Sequence, residues 1–427
     1  MRILYFVQYF NLPHEPGGSR AYQFARAWVR EGHQVTVVTG AVNHKTLAVP
    51  EAHRGRLVVR EEVEGIRLLR VWSYAGIRGS FRKRLLNFLT YALTAALVGW
   101  VRGGPADVIF ASSTPLTVGL PGWFNALVRR RPWVFEVRDL WPQSAVVAGV
   151  LSARALPVRL AAWLSRRFYR SARRIVAVTR GIVEGLVEEG IAREKILLVP
   201  NGVDDWMLEA AENPVEIEDS PLRVIYCGAL GRMNSLPQIL DAAAHLHREP
   251  VEIVFIGDGD ERSRLEERVR REGLEAVRFV DALPKREAFE ELRRAGALVV
   301  TTWDVAFQKM VLANKLFDYL AAGRPVIVAA AGEMAELVEE AGCGFVVPPE
   351  KPEQLAEAMV RMAGLDERER RAMGAAGRRY ILDRYQRRDL AWKVLESFAE
   401  ITGGPAAGNS ASGTPSPPRL LREVGRE

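Results

Sequence analysis

At 427 residues the chain exceeds what one ordinary hydrophobic core supports, so two domains are expected. Its 48% apolar and 26% charged residues are those of a globular protein, and two cysteines, Cys227 and Cys343, exclude a disulfide scaffold and fit a reducing cytoplasm. The net charge of +7 is unevenly held: residues 1–210 carry 29 Lys and Arg against 16 Asp and Glu, residues 211–427 carry 30 against 36, so the front half is suited to an anionic partner.

The chain opens on "MRILYFVQYF", a strand-like run without a secretory cleavage site. Further strand candidates in the front half are "QVTVVTG", "DVIFAS", "WVFEV", "RIVAVT" and "ILLVP". Helical stretches separate them, among them "SRAYQFARAWVREG", where Tyr22, Ala25 and Val29 recur at helical spacing. One stretch stands apart: Arg78, Arg82, Lys83 and Arg84 lead into 17 mostly apolar residues, Leu85 to Val101. That is short of the roughly 20 needed to cross a bilayer, and Asn87, Thr90 and Thr94 interrupt it. It reads either as a core helix of the first domain or as a helix lying on anionic lipid, with Tyr91 and Trp100 suited to the interface.

After "PNGVDDWMLEAAENPVEIEDSP", read as a polar connector, the rhythm restarts with "LRVIYCG", "VEIVFIG", "AVRFV", "GALVVTT", "RPVIVAA" and "GFVVP". Apolar runs alternating with helices predict an α/β protein with two Rossmann-like, doubly wound parallel-sheet domains. The expected boundaries are 1–205 and 206–402, with the last helix, about 386–400, packing back on the first domain, and 403–427 a disordered Gly/Ala/Ser/Pro tail. Ligands of such sheets bind where strands end and helices begin, so the carboxyl-end loops are expected to face one interdomain cleft.

Five constellations sit at such junctions. In "NLPHEPGGSRAYQF", Gly17 and Gly18 allow close backbone approach to a ligand, and Ser19 can cap the helix that follows. This is not the G-x-G-x-x-G fingerprint, which argues against a nicotinamide enzyme. In "FEVRDLWPQS", Glu136, Arg138 and Asp139 crowd a strand's carboxyl end, as a site or as a structural ion pair. In "CGALGRMNSLPQIL", Gly228 and Gly231 again admit a ligand, with Arg232 or Asn234 within reach of a phosphate. "IGDGDERSRLEE" places Gly257, Asp258 and Gly259 in a tight turn that ordinary turn chemistry also explains. Finally, "NKLFDYLAAGRPVI" starts a helix with Asn314, Lys315 and Asp318 on one face, where a helix N-terminus and a cation suit a diphosphate. The alternative there is a Lys315/Asp318 surface pair. No compact metal cluster is visible among six histidines, so no metal is expected, and no nucleic-acid partner either, for want of its motifs.

Together "EVRDLWPQS", "VPNGVD", "IGDGDER" and "NKLFDYLAAGRPVI" resemble a family 4 glycosyltransferase of the GT-B fold, in the branch of bacterial surface-polysaccharide and fucosamine-type transferases. The resemblance runs from "MRILYFVQYF" to about Phe398. It implies transfer of a hexosyl or N-acetylhexosaminyl group from a nucleotide-diphosphate sugar, with retention, to a glycan or polyprenyl-linked acceptor. It implies that Asp139 and Arg138 lie near the anomeric centre and that Gly17, Gly18, Gly231, Arg232, Asn234, Asn314 and Lys315 bind the diphosphate. Asp318, at the family's second acidic position, and Gly257, Asp258 and Gly259 would hold the nucleoside. The first acidic position is Met310 here, and Asn234 stands where the family has a cation. Arg82, Lys83, Arg84 and Trp100 would meet the membrane or acceptor, making a cytoplasmic enzyme peripheral to the inner face of the cell membrane. Two other readings compete: a non-hydrolysing nucleotide-sugar epimerase, and a catalytically silent nucleotide-sugar-binding scaffold.

Overall fold

A computed structural model describes residues 1–12, 15, 18–42, 49–75, 81–142, 155–211, 215 and 221–404. The chain divides into two units. The first comprises Met1–Pro200 with the C-terminal helix Arg387–Thr402, and the second Asn201–Gln386.

The first unit is built on an eight-stranded sheet. Its strands are β1 (Arg2–Val7), β2 (Gln34–Gly40), β3 (Val58–Val63), β4 (Ile66–Val71), β5 (Val108–Ser112), β6 (Trp133–Val137), β7 (Arg174–Ala177) and β8 (Ile196–Leu198), in the order β3-β4-β2-β1-β5-β6-β7-β8. All neighbours run parallel except β3 and β4. That antiparallel hairpin, closed through Glu64 and Gly65 at φ 47° and 78°, is an element the alternating pattern did not announce. Parallel strands covered on both faces explain why β5 and β6 are apolar at nearly every position. One face is closed by the helix Arg20–Arg30 and the C-terminal helix. There Trp28 packs edge-on against Phe398 at 5.2 Å, and its indole Nε1–H donates to the Ala391 carbonyl at 2.8 Å. The buried positions of Arg20–Arg30 are Arg20, Ala21, Tyr22, Phe24, Ala25 and Trp28, so Trp28 holds the place expected of Val29, which is only half-buried.

The second unit has six strands: β9 (Leu222–Cys227), β10 (Val251–Ile256), β11 (Val277–Val280), β12 (Ala297–Thr301), β13 (Val326–Ala329) and β14 (Gly344–Val347), all parallel, ordered β11-β10-β9-β12-β13-β14. Its beginning differs from the polar connector expected over 200–221. Residues Asp205–Ala210 form a helix whose Met207 and Leu208 join the core beneath β9 and β12, and the Val203 amide donates to the Tyr385 carbonyl at 2.9 Å. These contacts draw 201–205 into the second unit, so the division falls at Pro200 and not at 205. The tail expected from 403 lies, beyond residue 404, outside the described residues.

Candidate active site

In both sheets the chemistry gathers at the carboxyl ends of the strands, where loops are free of the ladder. In the second unit the centre is Lys315, in the first turn of the helix Asn314–Ala321. One turn later, the Tyr319 hydroxyl accepts from the Cys227 amide at 2.7 Å and donates to the Cys227 carbonyl at 3.0 Å. That double bond to the last residue of β9 fixes the helix against the strand and brings Lys315 over the glycine turn. Its ammonium donates to the Tyr226 hydroxyl and, at 3.0 Å, to Asn234 Oδ1, and lies 4.1 Å from the centre of the Tyr226 ring. Asn234 is held in turn, its Nδ2 donating to the Ala229 carbonyl at 2.9 Å. Asn234 thus orients the lysine instead of replacing a lost cation.

The oxygens around Lys315 are neutral, and burial pushes its ammonium down to about 7. The lysine turns to the strand side, onto Tyr226 and Asn234. Asp318 is half-buried on the same turn and acts electrostatically on Cys227, whose thiol burial pushes up to about 12, in keeping with an inert cysteine. Asn314 is exposed at the helix start, where no side chain caps the first amides.

The glycines of this unit fall into two kinds. A Cβ on Gly257 would stand 2.0 Å from the Gly228 carbonyl, and one on Gly259 2.4 Å from the Leu230 carbonyl. Both glycines are demanded by packing of the two turns, which the Leu230 amide seals by donating to the Asp258 carbonyl at 2.9 Å. Asp258 itself is exposed and accepts from the neighbouring Gly259 amide at 2.8 Å. Gly231 is different: a Cβ there would meet nothing within 4 Å. Arg232 points away from Lys315's partners; 85% exposed, it pairs with the buried Glu261 at 3.3 Å. The loop before the helix, where Met310 stands half-buried, braces the glycine turn: Trp303 Nε1 donates to the Arg232 carbonyl at 2.6 Å and Gln308 Nε2 to the Met233 carbonyl at 3.0 Å.

In the first unit the corresponding corner is made by the ends of β1, β5, β6 and β8. Arg20 follows the glycine loop and is buried against Glu136, with Nη2 to Oε1 at 2.8 Å. It also donates to the Pro200 carbonyl at 2.5 Å and the Val199 carbonyl at 2.9 Å, while Ser112 donates to the other oxygen of Glu136. Glu136 is therefore a structural anion, and its partner is Arg20, not the adjacent Arg138. Ser19 does not cap its helix; its hydroxyl accepts from Arg387 at 3.2 Å. Gly18 has open space where a Cβ would stand, and its carbonyl accepts from Asn11 at 3.3 Å. Gly17 lies outside the described residues.

Arg138 and Asp139 follow β6 and stay half-buried, with the Arg138 amide donating to Ser113 Oγ at 3.1 Å. Burial pushes the Asp139 carboxyl up to about 6, with Arg138 pulling the other way. Arg138 Nε is buried without a hydrogen-bond partner.

The basic triad and Trp100 separate. They belong to one helix, Phe81–Arg102, but at opposite ends, about 25 Å apart at 1.5 Å per residue. Arg82, Lys83 and Arg84 are exposed, and Arg84 acts on the Tyr9 hydroxyl just past β1, on the ligand-binding edge. Trp100, 52% exposed, stacks edge-on to Phe124 at the other edge. By length and composition this helix could cross a membrane. Its inner side, however, is bolted to the sheet: fully buried Asn87 accepts from Gln8 at 2.6 Å and donates to Ser73 at 3.2 Å. Among the described residues, no three His, Cys, Asp or Glu side chains come close enough to hold a metal.

Sequence reasoning missed Arg20, Tyr226 and Tyr319. Each sits in a run that reads locally as helix or core strand, and only its partner, far along the chain, shows its role.

Two α/β units on largely parallel sheets, with glycine turns at the strand ends, define the GT-B fold class. The family described as glycosyl transferase 4-like domain matches residues 17–202, and glycosyl transferases group 1 matches residues 221–364. A probable glycosyltransferase, WbjE of Pseudomonas aeruginosa, is 28% identical over 311 residues, 67% of this chain and 74% of its own. A putative colanic acid biosynthesis glycosyl transferase, WcaI of Escherichia coli, is 24% identical over 352 residues, 78% of this chain and 84% of its own. Among solved structures, HepE of Anabaena in complex with UDP aligns with a TM-score of 0.66 at 17% identity, over 94% of this chain and 100% of that one. The chain belongs to the family 4 glycosyltransferases.

Proposed function

We propose that this glycosyltransferase moves a sugar, with retention, from a nucleotide-diphosphate donor to a glycan or lipid-linked acceptor in cell-surface polysaccharide synthesis. The observation that carries the donor half is Lys315: a half-buried cation held by the neutral oxygens of Tyr226 and Asn234, at an uncapped helix N-terminus beside an open glycine turn. An anion supplies what that arrangement lacks. As the sugar–phosphate bond breaks, negative charge builds on the leaving diphosphate, and Lys315 with the turn amides stabilises it, with Gly18, Gly231 and Asn314 leaving the backbone accessible. Asp318 binds the nucleoside ribose, while Gly257 and Gly259 serve it by shaping the turn. Positive charge on the ring is met by Asp139, and the acceptor hydroxyl attacks the anomeric carbon from the face the diphosphate leaves, giving its proton to the departing phosphate oxygen as the sugar–phosphate bond breaks. No metal is needed, because the cation and the dipoles carry that charge. The acceptor's lipid would bring the enzyme to the cytoplasmic membrane face, with Arg82, Lys83, Arg84 and Trp100 in contact. The names of WbjE and WcaI support the glycan context.

The test is a panel of nucleotide sugars incubated with and without glycan or polyprenyl-phosphate-sugar acceptors, read by mass spectrometry, with product anomers assigned by NMR. Acceptor-dependent release of nucleoside diphosphate and a retained anomer are expected; an inverted product would end the retaining mechanism, and donor interconversion without acceptor would make the protein an epimerase. Asp139→Asn separates the catalytic role from a structural one. Its folded carboxyl titrates near 6, above the ordinary 3.8, so the folded state binds more protons between those values and loses stability as pH rises through them. The amide variant should therefore melt higher at pH 7 while turnover falls at least about a hundredfold. Unchanged turnover would remove Asp139 from the mechanism.

A further inference from the structure

Three helices of the first unit, Phe81–Arg102, Gly119–Arg129 and Leu156–Ser171, connect β4 to β5, β5 to β6 and β6 to β7. Each step moves the same way along the sheet, so right-handed crossovers put all three on one face, opposite the C-terminal helix. Side chains link them: Trp100 meets Phe124 at 6.2 Å, and the Arg167 guanidinium lies 5.5 Å above the Trp123 ring.

The outer side of this layer is apolar. Leu93 is 73% exposed and Leu97 51% on the first helix, Leu127 55% on the second, and Leu156, Leu160 and Trp163 are 75%, 56% and 55% exposed on the third. Positions 156, 160 and 163 form one helical stripe, so these are a ridge and not scattered residues. Charge on these three has a single sign: none contains an aspartate or a glutamate, and exposed Glu184 and Glu188 belong to the next helix on that face, Arg180–Glu188, at the β7–β8 edge of the sheet. Exposed arginines border the ridge, among them Arg159, Arg166 and Arg170. Large apolar side chains among cations, with no acid, match a headgroup layer of negative charge over hydrocarbon. The bonds of Asn87 hold the first helix on the sheet, which leaves only its outer side open to a bilayer surface.

We propose that this three-helix face docks on an anionic lipid bilayer, with Leu156–Ser171 as a second inserting ridge beside Phe81–Arg102. The proposal rests on the peripheral membrane contact stated above and extends it from one helix to a composite surface that the basic triad alone did not identify.

Flotation of the full chain with vesicles of phosphatidylcholine, alone or mixed with phosphatidylglycerol, tests it. The protein should float with the mixed vesicles only. Leu160→Gln with Trp163→Gln should weaken binding roughly tenfold, as should Leu93→Gln with Leu97→Gln, since each pair removes two side chains from hydrocarbon. Thermal unfolding and nucleoside-diphosphate binding, measured on the same samples, should be unchanged, which separates membrane failure from misfolding or loss of the donor site. If only the Leu93/Leu97 pair matters, the second ridge is refuted and the one-helix contact stands. If no vesicle is bound, both fall while the transferase reading survives on its own assay. If the substitutions instead convert a soluble dimer to monomers, the face is a contact between copies and the proposal is overturned.

Discussion

Arg20 and Lys315 are cations beside a glycine turn, one in each unit, the first buried and the second half-buried, and they are held in opposite ways. Arg20 ends on a buried carboxylate and two carbonyls, which tie the start of its helix to β6 and β8. Lys315 ends on a phenol and an amide oxygen, and burial has lowered its proton affinity. A balanced cation locks a loop; an unbalanced one is poised for an anion. The same contrast separates Gly257 and Gly259, which packing requires, from Gly18 and Gly231, which it does not.

Breaking the balanced pair should have the largest effect. Arg20→Ala leaves Glu136 buried without its counter-charge and should cost about 3–5 kcal/mol in urea unfolding. Arg20→Met combined with Glu136→Gln should recover part of that, and a stable single variant would show that the pair does not lock the loop.

The unbalanced cation should behave in reverse. Lys315→Met should leave stability unchanged or raised, yet weaken nucleoside-diphosphate binding by about 1.5–3 kcal/mol, roughly ten- to hundredfold by calorimetry. Unaltered affinity would dissolve the contrast between the two units.

Lys315 also sets a pH dependence. Its folded value near 7 lies below the ordinary 10.5, so the folded state binds fewer protons between them, and stability rises with pH across that window. A bound diphosphate favours the charged lysine, so affinity should fall as pH rises above 7, by at most about tenfold per unit. The slope should vanish in Lys315→Met; persistence there would assign it to another group.

Arg232→Ala should have the smallest effect. Arg232 is exposed and Glu261 keeps Arg264 at 3.3 Å, so the loss should stay under about 1 kcal/mol and stability should be nearly constant. A loss of nucleotide affinity matching that of Lys315→Met would show that Arg232 leaves Glu261 for the ligand.

Twelve of the fourteen described strands were legible in the sequence, because buried parallel strands are unbroken apolar runs bounded by glycine and proline. So was the placing of Asn314, Lys315 and Asp318 at a strand–loop–helix junction, since periodicity and turn residues are local signals. The β3–β4 hairpin was not, its alternation being interrupted by charge at Arg60, Glu61 and Glu62. What only the tertiary structure decided is which groups meet across the chain. Arg20 is paired with a residue 116 positions away, Lys315 with one 89 away, and Arg232 is drawn off to Glu261. It also decided which side of Leu156–Ser171 stays uncovered, because a helix's own pattern shows two faces but not which is met by a neighbour. Local spacing determines elements; burial, settled only when distant segments pack, determines which charges are answered and which are left for a ligand.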